Sequence, residues 1–164
     1  MPLLRKITKP KWYDQPWLPA GELPADALVD LRTQKNELSV WRVEPGEGNL
    51  NAVIAALASN KTDKLDNLDY VLIDEEVVAN LGIQYVKTDG DSPHSDANSQ
   101  WHCDLVELTG AKVLGLAREM KLRQAEHKRV QHSAVRDILK AALQAGALER
   151  VDMKEGLLAA LETA

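Results

Sequence analysis

Tyr70-Val71-Leu72-Ile73-Asp74-Glu75-Glu76-Val77-Val78-Ala79-Asn80-Leu81-Gly82-Ile83-Gln84-Tyr85-Val86 is the stretch on which the fold class turns. Its first four residues are an unbroken apolar run of β-formers, the pattern of a strand buried on both faces. Asp74, Glu75 and Glu76 suit the first turn of a helix, where negative charge complements the macrodipole. The spacing predicts a short helix over 75–81, closed by Gly82, a residue that enters the left-handed region without strain. Ile83 to Val86 returns to strand chemistry.

Upstream, Pro45-Gly46-Glu47-Gly48 breaks the chain, and Asn49 is a good helix cap. Leu50, Val53, Ile54 and Leu57 follow at helical spacing, so a helix is expected over about 50–59. Asp26–Arg32 and Glu37–Val43 read as two strands joined by the polar turn 33–36, a hairpin. Residues 1–24 carry Pro2, Pro10, Pro16, Pro19 and Pro24, which block helix and ladder hydrogen bonds, so an extended Pro- and aromatic-rich arm is expected there.

Downstream, residues 88–100 have a loop composition. From Asp104 the pattern turns helical: Asp104 and Glu107 resemble a capping box, with Leu105, Leu108, Leu116 and Met120 along one face. Ser133 opens a second helix with Val135, Ile138, Leu139, Ala142 and Leu143 on its apolar face, ended by Gly146. Asp152 and Glu155 open a third. The expectation is an α+β fold: a small mixed β-sheet in the N-terminal half and a helical C-terminal half of about three helices, with 25–164 as a single domain.

Composition bounds the function. The 164 residues suit one domain, and 45% hydrophobic with 27% charged residues belong to a chain that buries a core. Phe is absent and aromatics are 4%, so the core rests on Leu, Val, Ile and Ala. The single cysteine, Cys103, allows no internal disulfide, which fits a reducing compartment. The longest apolar run, Ala52–Ala58, is far too short to span a bilayer. The N-terminus lacks the pattern of a signal peptide. A cytoplasmic protein with no membrane role is expected. The net charge of −5 speaks against nucleic acid as the principal partner.

Four sets of residues invite chemistry. The loop from Asp89 to Asp104 gathers carboxylates and imidazoles, and Asp89, Asp91, His94 and His102 are candidate metal ligands. Their spacing is neither that of a calcium loop nor that of a helical zinc motif, and no cofactor is expected. Cys103 beside His102 suggests a nucleophile and base, but neighbours in a strand point to opposite faces. The segment 118–136 sets six basic residues against two acids, so Arg118, Lys121, Arg123, Lys128 and Arg129 are candidate phosphate contacts, although no aromatic is interleaved. Finally, Trp12, Tyr13 and Trp17 on the basic arm are candidate partner-docking residues, and Arg42 beside Trp41 could pair with an acidic ligand.

No nucleotide-binding or hydrolase motif is present. What remains is a non-catalytic protein-interaction module: an accessory subunit, inhibitor or immunity-type neutraliser of another bacterial protein, with self-association as a variant of the same idea. The competing readings are a metal-dependent hydrolase using the 89–104 loop and nucleic-acid contact through 118–136.

Overall fold

In a computed structural model, which describes residues 1–163, the apolar run becomes strand β3 (Leu68–Ile73) of a six-stranded sheet. The other strands are β1 (Leu3–Ile7), β2 (Leu38–Arg42), β4 (Gln84–Lys87), β5 (His102–Val106) and β6 (Lys128–Val130). Their order is β4-β5-β2-β1-β3-β6, and every adjacent pair is antiparallel. Six α-helices surround it: α1 (Leu50–Ser59), α2 (Glu75–Asn80), α3 (Ser95–Trp101), α4 (Gly110–Leu122), α5 (His132–Gln144) and α6 (Glu155–Glu162). Short 3-10 segments fall at 9–12 and 25–31, among others.

Both faces of the sheet are covered, which explains why β3 carries no polar stripe. One layer packs the 3-10 segments, α2 and α4 on Leu3, Ile7, Val40, Val71, Ile73 and Leu105. The other packs α1, α3, α5 and α6 on Leu4, Trp41, Leu68 and Tyr70. Leu3 and Leu4, adjacent in β1, feed opposite layers, as strand alternation requires.

The α+β expectation stands, with corrections in detail. The sheet is antiparallel throughout, not mixed, because strands that run in the same sense, such as β2 and β3, are never neighbours but are separated by an oppositely running strand. Among the described residues the α-helices number six; four of them, α3 to α6, lie in the C-terminal half where about three were expected, and they share it with β4, β5 and β6. Asp26–Arg32 is not a strand: residues 25–31 form a 3-10 helix that buries Ala27 and Leu31 and exposes Leu28 and Val29. That i, i+4 pairing is a helical period. The hairpin turn survives in miniature, with Gln34 and Glu37 exchanging both backbone hydrogen bonds around Lys35 and Asn36, each at positive φ. Two positive φ values in succession are those of a tight I′ turn.

The start of the arm is β1, a central strand, and the turn that follows it is tied to the 25–31 segment: Asp30 accepts from Trp12 Nε1 at 2.8 Å and from the backbone N–H of Thr8 at 2.7 Å. Asp104 does not cap a helix. It lies in β5, while Thr109 caps α4 by accepting from the backbone N–H of Lys112 at 3.2 Å. The 88–100 loop contains α3, capped by His94, whose Nδ1 accepts from the N–H of Ala97 at 3.3 Å. Ser133 is inside α5, which begins at His132.

Burial holds the imidazoles of His94 and His127 below the ordinary histidine value. Both are therefore neutral in the fold, whereas in the unfolded chain each takes up a proton near pH 6.5, at about its ordinary value. A lowered folded pKa means stability is complete above the unfolded value and is lost as pH falls from there toward the folded value. Thermal melts taken downward from neutral pH should show a loss beginning at about 6.5, above the carboxylate range. His127→Gln should remove part of it.

Candidate functional site

β1 and β2 pair only through Leu3–Arg42 and Leu4–Trp41 and then part. Arg5 fills the gap, donating from Nε and Nη2 to the carbonyl of Asp30 at 2.9 and 2.6 Å and from Nη1 to that of Ser39 at 2.8 Å. Burial holds its guanidinium below the ordinary arginine value, with the Asp30 charge opposing. At this gap lies a cleft of about 340 Å³ lined from both layers, by Val29 and Asp30 on one side and by Trp41, Asn60, Asp91 and His102 on the other. A second hollow of about 360 Å³, lined in part by Lys35, Glu37, Asp89 and Asp104, shares Ser39, Asp91 and His102 with it.

The floor of the two hollows is a chain of hydrogen bonds. Ser39 Oγ donates to Asp104 Oδ1 at 3.0 Å, and Thr88 Oγ1 donates to Asp104 Oδ2 at 2.7 Å. An ionised carboxylate only accepts, so the single hydroxyl proton of Thr88 is committed to Asp104. Thr88 Oγ1 must then accept at its 2.9 Å contact with His102 Nδ1. The network thereby places a proton on His102 Nδ1. Trp41 meets the imidazole edge-on, with ring centroids 4.9 Å apart, and fixes its plane.

This arrangement gathers only part of what the sequence suggests. Asp89, Asp91 and His102 line the hollows, but His94 is occupied as a helix cap. Among the described residues no three His, Cys, Asp or Glu side chains are grouped to hold a metal ion. Asp91 pairs with Lys61, whose hydrogen bond leads the causes that keep its carboxyl below the usual range. Cys103 lies on the opposite sheet face from His102, and burial pushes its thiol up, away from the thiolate a nucleophile needs.

The basic segment 118–136 is divided among α4, β6 and α5 and is not one face. Lys121 donates to the carbonyl of Trp12 and to Asp14, Arg123 pairs with Glu119, and Arg129 with Asp69. Arg118 and Lys128 are exposed. Comparison with protein-family models, with curated proteins and with solved structures finds no match for this chain. Its own geometry is therefore the basis for reading what it does.

The aromatic candidates separate. Trp12 is fully buried, hydrogen-bonded to Asp30 and edge-on to His127 at 5.5 Å, and belongs to the core. Trp17 is 71% exposed and Tyr13 40%. Arg42 projects on the face away from the cleft, its Nε buried without a hydrogen-bond partner, and its charge helps to lower the Glu75 carboxyl, after hydrogen bonds from the terminal amine and Tyr85. Ser39, Thr88, Asn60 and Asp104 escape sequence reasoning as a group. The one signal was the polar alternation of 102 and 104 within an apolar stretch, which marks one face of a strand.

Proposed function

We propose that the chain is a non-catalytic protein-interaction module that docks through the segment from Tyr13 to Val29. Trp17 carries the reading. It stands open to water while Trp12 and Trp41 are buried, and a large exposed indole is the side chain most enriched at interface hot spots. Its neighbours support it. Tyr13, Leu28 and Val29 are also exposed, so half of the eight large hydrophobic side chains open to solvent fall on this one stretch. Trp17 borders a shallow groove with Pro10, Gln15, Pro24 and Ala25. Trp12 and Asp30 anchor the layer beneath, which presents the apolar groups on a fixed frame and lowers the entropy lost on docking.

A photo-crosslinking amino acid at position 17, expressed in the source cells, tests this. The control carries the same group at Val151, which is 87% exposed on another part of the surface. A discrete adduct at 17 that is absent at 151 supports docking through this layer, and an adduct of twice the chain's own mass identifies the partner as a second copy. No adduct at 17, or the same adducts at both positions, overturns it. In the supported case Trp17→Ala should weaken the complex by about 2 kcal/mol or more, the hot-spot scale, with unchanged thermal stability.

A further inference from the structure

We propose that β4 pairs edge to edge with β4 of a second copy of this chain, antiparallel about a two-fold axis at Val86, so that two six-stranded sheets join into one. β4 ends the sheet and has β5 as its one neighbouring strand. The register fixes where its backbone groups point. Thr88 continues the Lys87–Cys103 pairing, and its N–H donates to the His102 carbonyl at 3.4 Å. Antiparallel ladders alternate, so Val86 and Gln84 also bond toward β5, whereas Tyr85 and Lys87 turn their N–H and C=O groups outward. None of these four outward groups has a partner among the described residues. Such a row is a template for another strand. The far edge, β6, is blunted: it is three residues long, Lys128 is exposed, and Arg129 is fastened to Asp69.

Register and charge select a second copy as the occupant. Setting Tyr85 opposite the second copy's Lys87, and Lys87 opposite its Tyr85, uses all four outward groups and places Val86 opposite Val86. A two-residue slip one way calls on Ile83, whose N–H already donates to the Val78 carbonyl at 3.1 Å. A slip the other way sets Lys87 opposite Lys87, and like charges directly opposite repel. Val86 is 43% exposed, and among the described residues it is the one large exposed apolar side chain that lies on a strand. A pair without hydrogen bonds brings side chains closest, so the twin valines cover each other. On the other face, Tyr85 packs on the α2 and α4 layer, and its hydroxyl donates to Glu75 Oε1 at 2.7 Å. Lys87 shares that face by alternation. It is exposed and makes no ion pair among the described residues. Pairing lays it beside the second copy's Tyr85, with its ammonium toward the Glu75 carboxylate there. An extended segment of unrelated sequence would meet the backbone groups alone.

A single short strand pair belongs with the small, transient interfaces, so the dimer is weak. Sedimentation of the intact protein from about 1 μM to about 1 mM, the weak-binding range, should show the mass rise from that of one chain toward that of two. Val86→Lys sets like charges opposite each other across the axis, and in its own sheet it faces Asp104, so the fold tolerates it. It should weaken the dimer about tenfold or more. Cysteine pairs test the register. At position 86 the two Cα atoms lie about 4.5 Å apart, within the reach of a disulfide. At position 84 they lie roughly 13 Å apart along the strands. Oxidised with diamide, Val86→Cys should cross-link well ahead of Gln84→Cys, and Cys103, 1% exposed, does not compete. Trp17→Ala should leave both readouts unchanged, which separates this edge from the docking layer. A mass that stays at one chain, undiminished association of Val86→Lys, equal cross-linking at 84 and 86, or loss of the dimer in Trp17→Ala overturns the proposal.

Discussion

Trp12→Ala is expected to destabilise the protein by about 3–5 kcal/mol, the range for removing a large aromatic from a packed core. The indole is 0% exposed. It lies among Leu31, Met120 and the apolar side chains of β1 and β3, so truncation opens a cavity that the rigid sheet below cannot collapse into. It also removes the Nε1 donor to Asp30 Oδ2 and the edge contact to His127. Asp30 additionally accepts from the N–H and hydroxyl of Thr8. The loss therefore loosens the junction of β1, the first 3-10 turn and the 25–31 segment together. Urea unfolding should show a lower midpoint, and melting should drop by roughly 6–20 °C, at about 2–4 °C per kcal/mol for a chain of this size. Trp12→Phe keeps most of the volume and should lose about 1–2 kcal/mol, the scale of the lost hydrogen bond and imperfect repacking. A Trp12→Ala protein as stable as the parent would show that the ring is not part of the core.

Arg129→Ala should be the next most damaging change, because it strands a buried carboxylate, although the loss stays below that of breaking a wholly buried pair since the guanidinium side chain is 34% exposed. Asp69 is only 7% exposed. Burial by itself would raise its carboxyl, but the hydrogen bonds from Arg129 and from the N–H of Lys9, with their charges, outweigh it and hold the group below the aspartate range. Arg129 makes the bond in fork geometry, Nε to Oδ1 at 2.7 Å and Nη2 to Oδ2 at 2.9 Å. Without it the carboxylate stays buried with one donor, the Lys9 amide at 2.9 Å. Asp69→Asn in the Arg129→Ala background should restore part of the loss, because it removes the stranded charge. The sign with pH is fixed by the lowered folded pKa: the pair contributes fully above about 3.9, the ordinary aspartate value, and its contribution fades as pH falls below it. The stability gap between wild type and Arg129→Ala, measured by denaturant titration, should therefore narrow in acid.

The exposed aromatic layer and the buried network at His102 differ in what they need from the fold. Trp17 and Tyr13 need only a firm base, and Trp12 with Asp30 supplies it. His102 needs a specified proton position, and it obtains one through Thr88 from Asp104, a carboxylate two residues along the same strand. Period-two alternation puts His102 and Asp104 on one face, and β4 brings Thr88 between them.

Much of the chain's local order was legible from residue pattern. The helix at 50–59 begins after Asn49, although the Asn49 side chain ties the backbone of Glu44 and Arg42 and does not cap the helix. Gly82 and Gly146 stand at positive φ after α2 and α5, where only a residue without Cβ is unstrained. The apolar face of α5 contains Val135 and Leu139, both buried. Misreadings came where two local rules competed. Between Pro2 and Pro10, the prolines outweighed Leu3-Leu4-Arg5-Lys6-Ile7, whose strand character depends on partners far along the chain. At Asp104 and Glu107, a capping pattern masked a strand, because the same acid serves equally well to receive a hydroxyl from a neighbouring strand.

The residues alone determined the fold class, the positions of α1, α2, β3 and α5, and an aliphatic core, because helical period, turn chemistry and burial preference act over a few residues. Only the tertiary structure decided that β1 lies at the centre of the sheet, that every pairing is antiparallel, that Trp12 is core while Trp17 is surface, and that Ser39 and Asp104, 65 residues apart, share a proton network with Thr88 and His102. Such contacts are chosen by which strands and layers bury the most apolar surface together, a property of the whole chain that no short window contains.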